Sequence, residues 1–296
     1  MSFKILAINP GSTSTKIAIF EDETEKFVKN IKHSAEEIAK FDNVASQFQF
    51  RKDIILSELK NAGFNINEIN AIVGRGGLVK PIESGVYEVN EALINDLNNP
   101  PLGEHASNLG GLIANDIAKS LNNGTKAYIA DPVVVDELQD VARLTGHPDF
   151  TRVSIFHALN QKAIARTYAK EIGKKYEDIN LIIAHLGGGV SVGAHDHGRV
   201  IDVNNALDGD GPFSPERSGT PYPNQALTDS FRSKKATSRL QGQTFPPHQP
   251  FHRCKYRLLI NGSGKNLSGF QLTLISRLLY PYDLPLPCQI GFGETA

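Results

Sequence analysis

Two short turns, each lying between apolar stretches, carry residue types that suit an anion. The first is Asn9-Pro10-Gly11-Ser12-Thr13-Ser14, set between residues 3–8 and 15–20, with Lys16 just inside the returning stretch. The second is Gly187-Gly188-Gly189, between residues 181–186, which include His185, and residues 190–195. Glycine lets backbone N–H groups approach an anion closely and hydroxyls add donors, so each turn has the makings of a phosphate cradle. Further polar groups sit at the ends of apolar runs or among glycines: Arg75, Asp131, His157, Asp208, Asp210 and Arg217. Cations and N–H donors around a moving group, with a metal on the phosphates, are what phosphoryl transfer needs.

Each of these side chains also has a plainer role. An arginine between glycines is commonly a turn residue, a histidine in an apolar helical stretch a hydrogen-bonded core residue, and an aspartate before proline a turn opener. His195 and His197 fall on one face of a strand and could ligate zinc, but beside Gly198 they read as a solvated hairpin tip. Asn9-Pro10-Gly11 alone is a weak signal. Its repetition as strand, small turn, strand suggests a duplicated fold with a nucleotide held between its halves. Two other phosphate motifs fit less well. No Gly-x-x-x-x-Gly-Lys-Ser/Thr string occurs, and Val190-Ser191-Val192 continues as strand where a dinucleotide-binding turn opens a helix.

The elements that must position these groups follow from periodicity and caps. Residues 25–32 read as a third strand, and Ser34 with Glu37 forms a capping box for a short helix. An amphipathic helix is expected over 51–62, closed by Gly63, and a short buried strand over 71–74 delivers Arg75. Helices over 90–97 and 105–121 precede a strand over 126–130, which Asp131-Pro132 ends. Ser154 is expected to cap a helix running to about 171, and the second hairpin begins at 181. Strands alternating with helices mean an α/β architecture, and the antiparallel hairpins make its sheets mixed. The expected division is a first domain over 1–150, the start of a second over 151–220, and an atypical tail over 221–296.

With 296 residues the chain can bury two cores. Its net charge of −1 gives no general attraction to nucleic acid or anionic membrane, so a small-molecule partner is expected. No apolar run nears the roughly 20 residues that span a bilayer. A secretory leader pattern is missing, and Cys254 and Cys288 make no disulfide framework, which together point to the cytoplasm. The tail stands apart: residues 221–296 hold nine Lys/Arg against three Asp/Glu, eight of the 16 prolines, both cysteines and no valine. Pieces such as Phe245-Pro246-Pro247 and Pro285-Leu286-Pro287 interrupt helix and strand alike.

Taken in order, the strings resemble the acetate and butyrate kinase family, within the actin-like (ribonuclease H-like) ATPase superfold, and the butyrate kinases in particular. The resemblance rests on Asn9 to Lys16, Val73 to Gly77, Asp131-Pro132-Val133-Val134-Val135-Asp136-Glu137, Phe156 to Gln161, His185 to Gly193, and the long Val203 to Gly219. It covers residues 1 to about 220. It implies a duplicated actin-like fold with an incomplete second domain, and transfer of the ATP γ-phosphoryl group to butyrate or a related short-chain or branched acid. The products are an acyl phosphate and ADP, reversibly and with magnesium; acetate and propionate are the rival substrates, and a homodimer or higher homo-oligomer is implied.

Residue by residue, the resemblance puts Asn9 at the metal and phosphates, and Ser12, Ser14 and Lys16 in the first phosphate hairpin. Arg75 and Arg217 clamp the carboxylate and the transferring phosphoryl group, Asp131 organises the metal or an arginine, and His157 stabilises charge on the equatorial oxygens. His185, Gly187, Gly188 and Gly189 form the second phosphate hairpin. The family's adenosine-cradling Gly-Gly turn and late metal-side glutamate have no counterpart in 221–296, where Asn261-Gly262-Ser263-Gly264 is the glycine turn and Glu294 the last acid. A departure of the reading frame after about Gly219 accounts for this, and leaves a disabled relic of the kinase as the alternative to an active enzyme.

Overall fold

The computed structural model describes residues 2–145, 148–217 and 219–220, together with the strands 257–262 and 291–292. The chain divides into two compact units, Met1–Val135 and Asp136–Ala296. This boundary falls earlier than residue 150, because the segment after Val135 is tied into the second unit. There Glu137 accepts from the Val200 N–H and pairs with Lys162 at 2.8 Å in each case, and the Gln139 N–H donates to Ile201.

The first unit opens with a meander, β1 (Lys4–Pro10), β2 (Ser14–Glu21) and β3 (Thr24–Lys32). Leu6 and Ile8 of β1 and Ile17 and Ile19 of β2 alternate into the core, the period expected of half-buried strands. The short helix α1 (Ala35–Ile38) starts at the expected capping box, with both Ser34–Glu37 bonds formed. Helix α2 (Phe48–Asn61) buries Arg51, Ile55 and Leu59, one stripe at i, i+4 spacing. Strand β4 (Ala71–Arg75) lies parallel to β1, and β5 (Val86–Glu88), which the pattern of residues did not announce, adds a short antiparallel edge. Asn90 caps α3 (Glu91–Asn98). Helix α4 (Asn108–Leu121) begins later than residue 105 because His105–Ser107 make their own turn, the imidazole 2.8 Å from Ser107 Oγ. Strand β6 (Lys126–Ala130), parallel to β4, completes the sheet order β3-β2-β1-β4-β6-β5.

The second unit contains α5 (Asp140–Arg143), α6 (Ala158–Glu171), the meander β7 (Asn180–Leu186), β8 (Val190–Asp196) and β9 (Arg199–Val203), and strands β10 (Arg257–Gly262) and β11 (Gly291–Phe292). His157, not Ser154, is the N-cap of α6. The Ala206 N–H donates to the Ile155 carbonyl, which holds the preceding segment outside the helix. The sheet order is β11-β10-β7-β8-β9. Its pairings repeat those of β1, β2, β3, β4 and β6: two antiparallel partners in sequence on one side, two parallel strands on the other. Even the irregularity recurs, a register shift at Ile19/Phe20 in one meander and at Ala194/His195 in the other. The duplication suspected from two turns therefore extends to whole sheets, and strands from the atypical tail supply two members of the second.

Strand β4 and helix α4 touch backbone to backbone. A Cβ on Gly74 would sit 2.2 Å from the Gly110 carbonyl oxygen, and one on Gly110 would sit 2.5 Å from the Arg75 carbonyl oxygen. Glycine on both sides is what lets the helix rest on the strand end that carries Arg75. Gly74→Ala should cost about 1–3 kcal/mol through overpacking, read as a lower urea midpoint at unchanged slope; a midpoint equal to that of the parent would show that the two backbones can separate freely.

Candidate functional site

In the first unit the parallel strands β1, β4 and β6 end at one edge of the sheet, where open α/β sheets take their ligands. Asn9 and Arg75 stand at two of these ends and Asp131 directly follows the third. Lys16 is the cross-strand partner of Asn9, and both are exposed. Arg75 Nη1 lies 3.4 Å from Asn9 Oδ1. Burial lowers the Arg75 pKa from its ordinary value, which starts so high that the guanidinium stays charged. Asp131 holds a left-handed φ of 36°, uncommon for a residue with a Cβ. Its Oδ1 accepts from Ser84 Oγ at 2.6 Å and the Gly85 N–H at 2.9 Å, while its own N–H donates to the Gly85 carbonyl.

The first turn is shaped from behind. The Gly11 N–H donates to the Ser14 carbonyl at 2.7 Å. Beneath it lies Arg51, fully buried, whose Nη1 donates to the Ser14 carbonyl (3.1 Å) and Thr15 Oγ1 (2.9 Å) and whose Nη2 reaches the Ser12 carbonyl at 3.3 Å. Gln47 Oε1 takes bonds from Nε and Nη2 at 3.0 and 2.8 Å. The Ser12 and Ser14 carbonyls thus face a cation in the interior, and the Thr13 carbonyl takes the His33 N–H at 2.9 Å. Among the described residues the N–H groups of Ser12 and Thr13, both exposed, have no backbone acceptor.

The second turn is built alike. The Gly187 N–H donates to the Gly189 carbonyl (3.1 Å), and the Gly188 carbonyl accepts from the Glu216 N–H (3.2 Å). Arg217 lies against it: a Cβ on Gly189 would meet Arg217 Nη1 at 2.5 Å and His157 Cε1 at 3.3 Å. The Arg217 Nε donates to the Leu207 carbonyl at 3.1 Å, which fixes the base of the guanidinium. His157 stacks on His185 with ring centroids 3.8 Å apart and planes 15° from parallel. His185 Nδ1 is 3.0 Å from Asn160 Oδ1, and His157 Nδ1 is 2.9 Å from Ser191 Oγ. Asp208 and Asp210 are occupied within their own loop: Asp208 accepts from Asn205 Nδ2, and Asp210 from the Asn205 N–H and Thr220 Oγ1. Asn204 pins that loop to β8 through the Val192 N–H at 2.7 Å and the Val190 carbonyl at 3.1 Å.

Comparison with known proteins agrees with this arrangement. Residues 150–209 match the Acetokinase family. Over 217 residues, 73% of the chain, the sequence is 63% identical to butyrate kinase 1 of Clostridium acetobutylicum, and over 219 residues, 74% of the chain, 61% identical to butyrate kinase 2 of that organism. The chain is thus similar to members of the acetokinase family over most of its described length. It spans 61% of the length of each of these two relatives. The crystal structure of the acetate kinase of Porphyromonas gingivalis shares its fold, the actin-like ATPase fold, with a TM-score of 0.59 at 18% identity, covering 80% of this chain and 65% of that one.

The second unit stacks His157 on His185 and sets His157 and Arg217 beside Gly189, with Gly187 and Gly188 in the same turn. In the first unit Asn9, Lys16 and Arg75 share a strand edge, Ser12 and Ser14 occupy the adjoining turn, and Asp131 directs one carboxylate oxygen to Ser84 and Gly85. His195 departs from expectation. It is fully buried in β8 rather than at a solvated tip, because it shares the inward face of that strand with Ser191 and Gly193, while His197 alone occupies the exposed turn with φ 46°. Ser263, Gly264 and Glu294 lie outside the described residues. Arg51, Gln161 and Ser191 were not singled out from the sequence. A signal existed for Arg51: it heads the apolar i, i+4 stripe Arg51-Ile55-Leu59, where a charge is out of place unless it is bonded.

Two outcomes follow from the buried polar groups. Arg51→Met keeps the bulk but takes the guanidinium from the Ser12 carbonyl and from buried Gln47 Oε1, leaving the Ser14 carbonyl only the Gly11 N–H, and should cost on the order of 3 kcal/mol in urea unfolding; a loss below about 0.5 kcal/mol would mean that the turn needs no support from beneath. His195 is held neutral, its pKa pushed down to about 3 by burial and then by the Lys162 charge. In the unfolded chain it titrates near 6.5, so between those values the unfolded state alone takes up the proton. Its contribution is complete above pH 6.5 and is lost as the pH falls toward 3, with a slope of at most about 1.4 kcal/mol per pH unit. Urea midpoints measured from neutral to acid pH should fall less steeply for His195→Gln than for the parent chain.

Proposed function

We propose that this chain is a carboxylate kinase acting in the cytoplasm, transferring the γ-phosphoryl group of ATP to butyrate or a close short-chain or branched acid. The observation that carries the reading is the 63% identity to a butyrate kinase over 217 residues. It is supported by two turns whose carbonyls are bonded away from the exposed side. A carboxylate is ionised near neutral pH, so its oxygen attacks phosphorus directly and no base is required. One P–O bond to ADP breaks as the acyl P–O bond forms, and no proton moves. The chain's contribution is therefore position and charge. N–H groups of the Gly11–Ser14 and Gly187–Gly189 turns, with Ser12, Ser14 and Lys16, suit phosphate oxygens. Arg75 and Arg217 offer planar forks of donors to carboxylate and phosphoryl oxygens. His157, stacked on His185, offers a donor to the charge that builds on the equatorial oxygens, and Asp131 braces the end of β6.

Magnesium fits this donor set in a particular way. Among the described residues no three His, Cys, Asp or Glu side chains gather as a metal cage. Magnesium keeps most of its waters and phosphate ligands and needs only one or two protein oxygens, for which the exposed Asn9 Oδ1 is suited. Carried on the nucleotide's phosphates, the ion would supply positive charge where the β- and γ-oxygens accumulate negative charge. By analogy with the relatives, the assembly is a homodimer or higher homo-oligomer.

A second reading is favoured by the composition of residues 221–296, which lack valine and are rich in proline. In it the reading frame departs after about Gly219 and the chain is a disabled kinase. Acyl-phosphate formation, trapped as the hydroxamate with Mg-ATP and either butyrate or acetate, separates the two. The kinase reading expects hydroxamate with butyrate preferred, and a loss of about 10²–10³ in kcat for Arg217→Ala. Folded, soluble protein that melts cooperatively, yields no hydroxamate and gains no thermal stability from Mg-ATP would overturn it in favour of the disabled chain.

A further inference from the structure

Behind His157 runs a file of buried polar side chains. Tyr176 OH lies 2.5 Å from His195 Nδ1, His195 Nε2 lies 2.9 Å from Gln161 Oε1, and Gln161 Nε2 lies 2.8 Å from Ser191 Oγ and 3.1 Å from the Ser191 carbonyl. Ser191 Oγ in turn lies 2.9 Å from His157 Nδ1 and 3.5 Å from the His157 N–H. Gln161, Ser191 and His195 are essentially inaccessible to solvent and Tyr176 is 3% exposed, so these groups have little water to fall back on.

The direction of every bond follows from one group that has no choice. The Ser191 backbone carbonyl can only accept, so the amide nitrogen of Gln161 faces Ser191 and its oxygen faces His195. That oxygen can only accept, so His195 carries its proton on Nε2. The deep burial of His195, which holds it neutral, then leaves Nδ1 as an acceptor for the Tyr176 hydroxyl. At the other end, Ser191 Oγ receives the Gln161 N–H and the His157 backbone N–H, which uses both lone pairs. Its remaining valence is the O–H, and the group in line with it is His157 Nδ1.

We propose that Tyr176, His195, Gln161 and Ser191 are positioning residues that fix His157 as the neutral tautomer protonated on Nε2. The inference rests on the kinase reading for its purpose, not for its geometry. A donor aimed at phosphoryl oxygens has to present N–H rather than a lone pair, and a neutral imidazole presents one or the other. With Nδ1 engaged by the Ser191 O–H, the proton resides on Nε2, and the four donors point the same way, each polarising the next. Stacking of His157 on His185 at 3.8 Å holds the ring plane, while the file sets which edge carries hydrogen.

The test is side-chain nitrogen NMR of the full chain, uniformly labelled and at neutral pH, which reports the protonated ring nitrogen of each histidine without any turnover. His157, assigned by its loss in His157→Gln, should show a single neutral species protonated on Nε2; protonation on Nδ1, or a mixture of both tautomers, would overturn the proposal. Gln161→Glu replaces the donor facing Ser191 by an acceptor, so the Ser191 hydroxyl should turn away and His157 should move to the Nδ1-protonated or doubly protonated form. An unchanged Nε2 signal in folded Gln161→Glu would overturn it as well. If that variant does not fold, Ser191→Ala serves, where the single tautomer should give way to a mixture. In the hydroxamate assay Gln161→Glu should lower kcat by about 100-fold or more with KM for butyrate nearly unchanged. A parent chain that shows the Nε2 tautomer yet no turnover would sink the kinase reading and leave this one standing.

Discussion

A turn that is to grip an anion must do two things with the same few peptide groups: leave its N–H donors outward and dispose of its carbonyls elsewhere. In the first unit this is met by one buried cation. Arg51 lies under the Gly11–Ser14 turn and takes the Ser12 and Ser14 carbonyls with a single guanidinium, while Gln47 Oε1 and Thr15 Oγ1 occupy its other donors. Burying a guanidinium among apolar neighbours is costly, and the cost is offset only because these acceptors saturate it. The helix that carries Arg51 must therefore dock where Ile55 and Leu59 reach the core and the arginine reaches the turn. That requirement sets the placement of α2 against the meander.

The second turn meets the same demand without a buried arginine. Its carbonyls are taken by the Glu216 N–H and by the Gly187 N–H within the turn, and the cation, Arg217, lies against Gly189 rather than beneath the carbonyls. Duplication has kept the backbone plan of the two sheets, down to the register shift in each meander, but not the chemistry that supports their turns. The consequence is an asymmetry of role. The segment around Arg217 is cross-linked: Asn204, Asn205, Asp208, Asp210 and Thr220 bond one another and the edge of β8. Asp208 and Asp210, polar groups among glycines in the bare sequence, are the fasteners of that loop.

The legible parts of the sequence were those in which short-range pattern decides structure. Alternating β-branched residues announced the meanders, Ser34 and Glu37 announced α1, and the glycines of the turns announced where backbone would be exposed. The candidate residues at strand ends were visible for the same reason, since polar groups at the end of an apolar run have few other places to go. What was not visible depended on partners distant in sequence. Arg51 finds its carbonyls 37 and 39 residues away, Gln161 and Ser191 are 30 apart, and His195 finds its partners in Tyr176 and Gln161, 19 and 34 residues away. The start of α6 was misplaced because Ile155 is held by Ala206, again a remote bond.

The tail illustrates the difference between continuing a sheet and completing a site. The run Arg257-Leu258-Leu259-Ile260-Asn261-Gly262 pairs in parallel with β7 along its whole length, and Gly291-Phe292 pairs beyond it, so the second sheet reaches the strand order of the first. Parallel pairing in a sheet's interior asks little of a sequence beyond a short apolar run, because the bonds come from the backbone. A nucleoside pocket asks for particular residues at particular turns, and the loss of valine and acid after residue 220 bears on that requirement far more than on the sheet. Strand order in the second unit is therefore a property of the backbone plan, which a short apolar run can satisfy whatever its side chains offer a ligand.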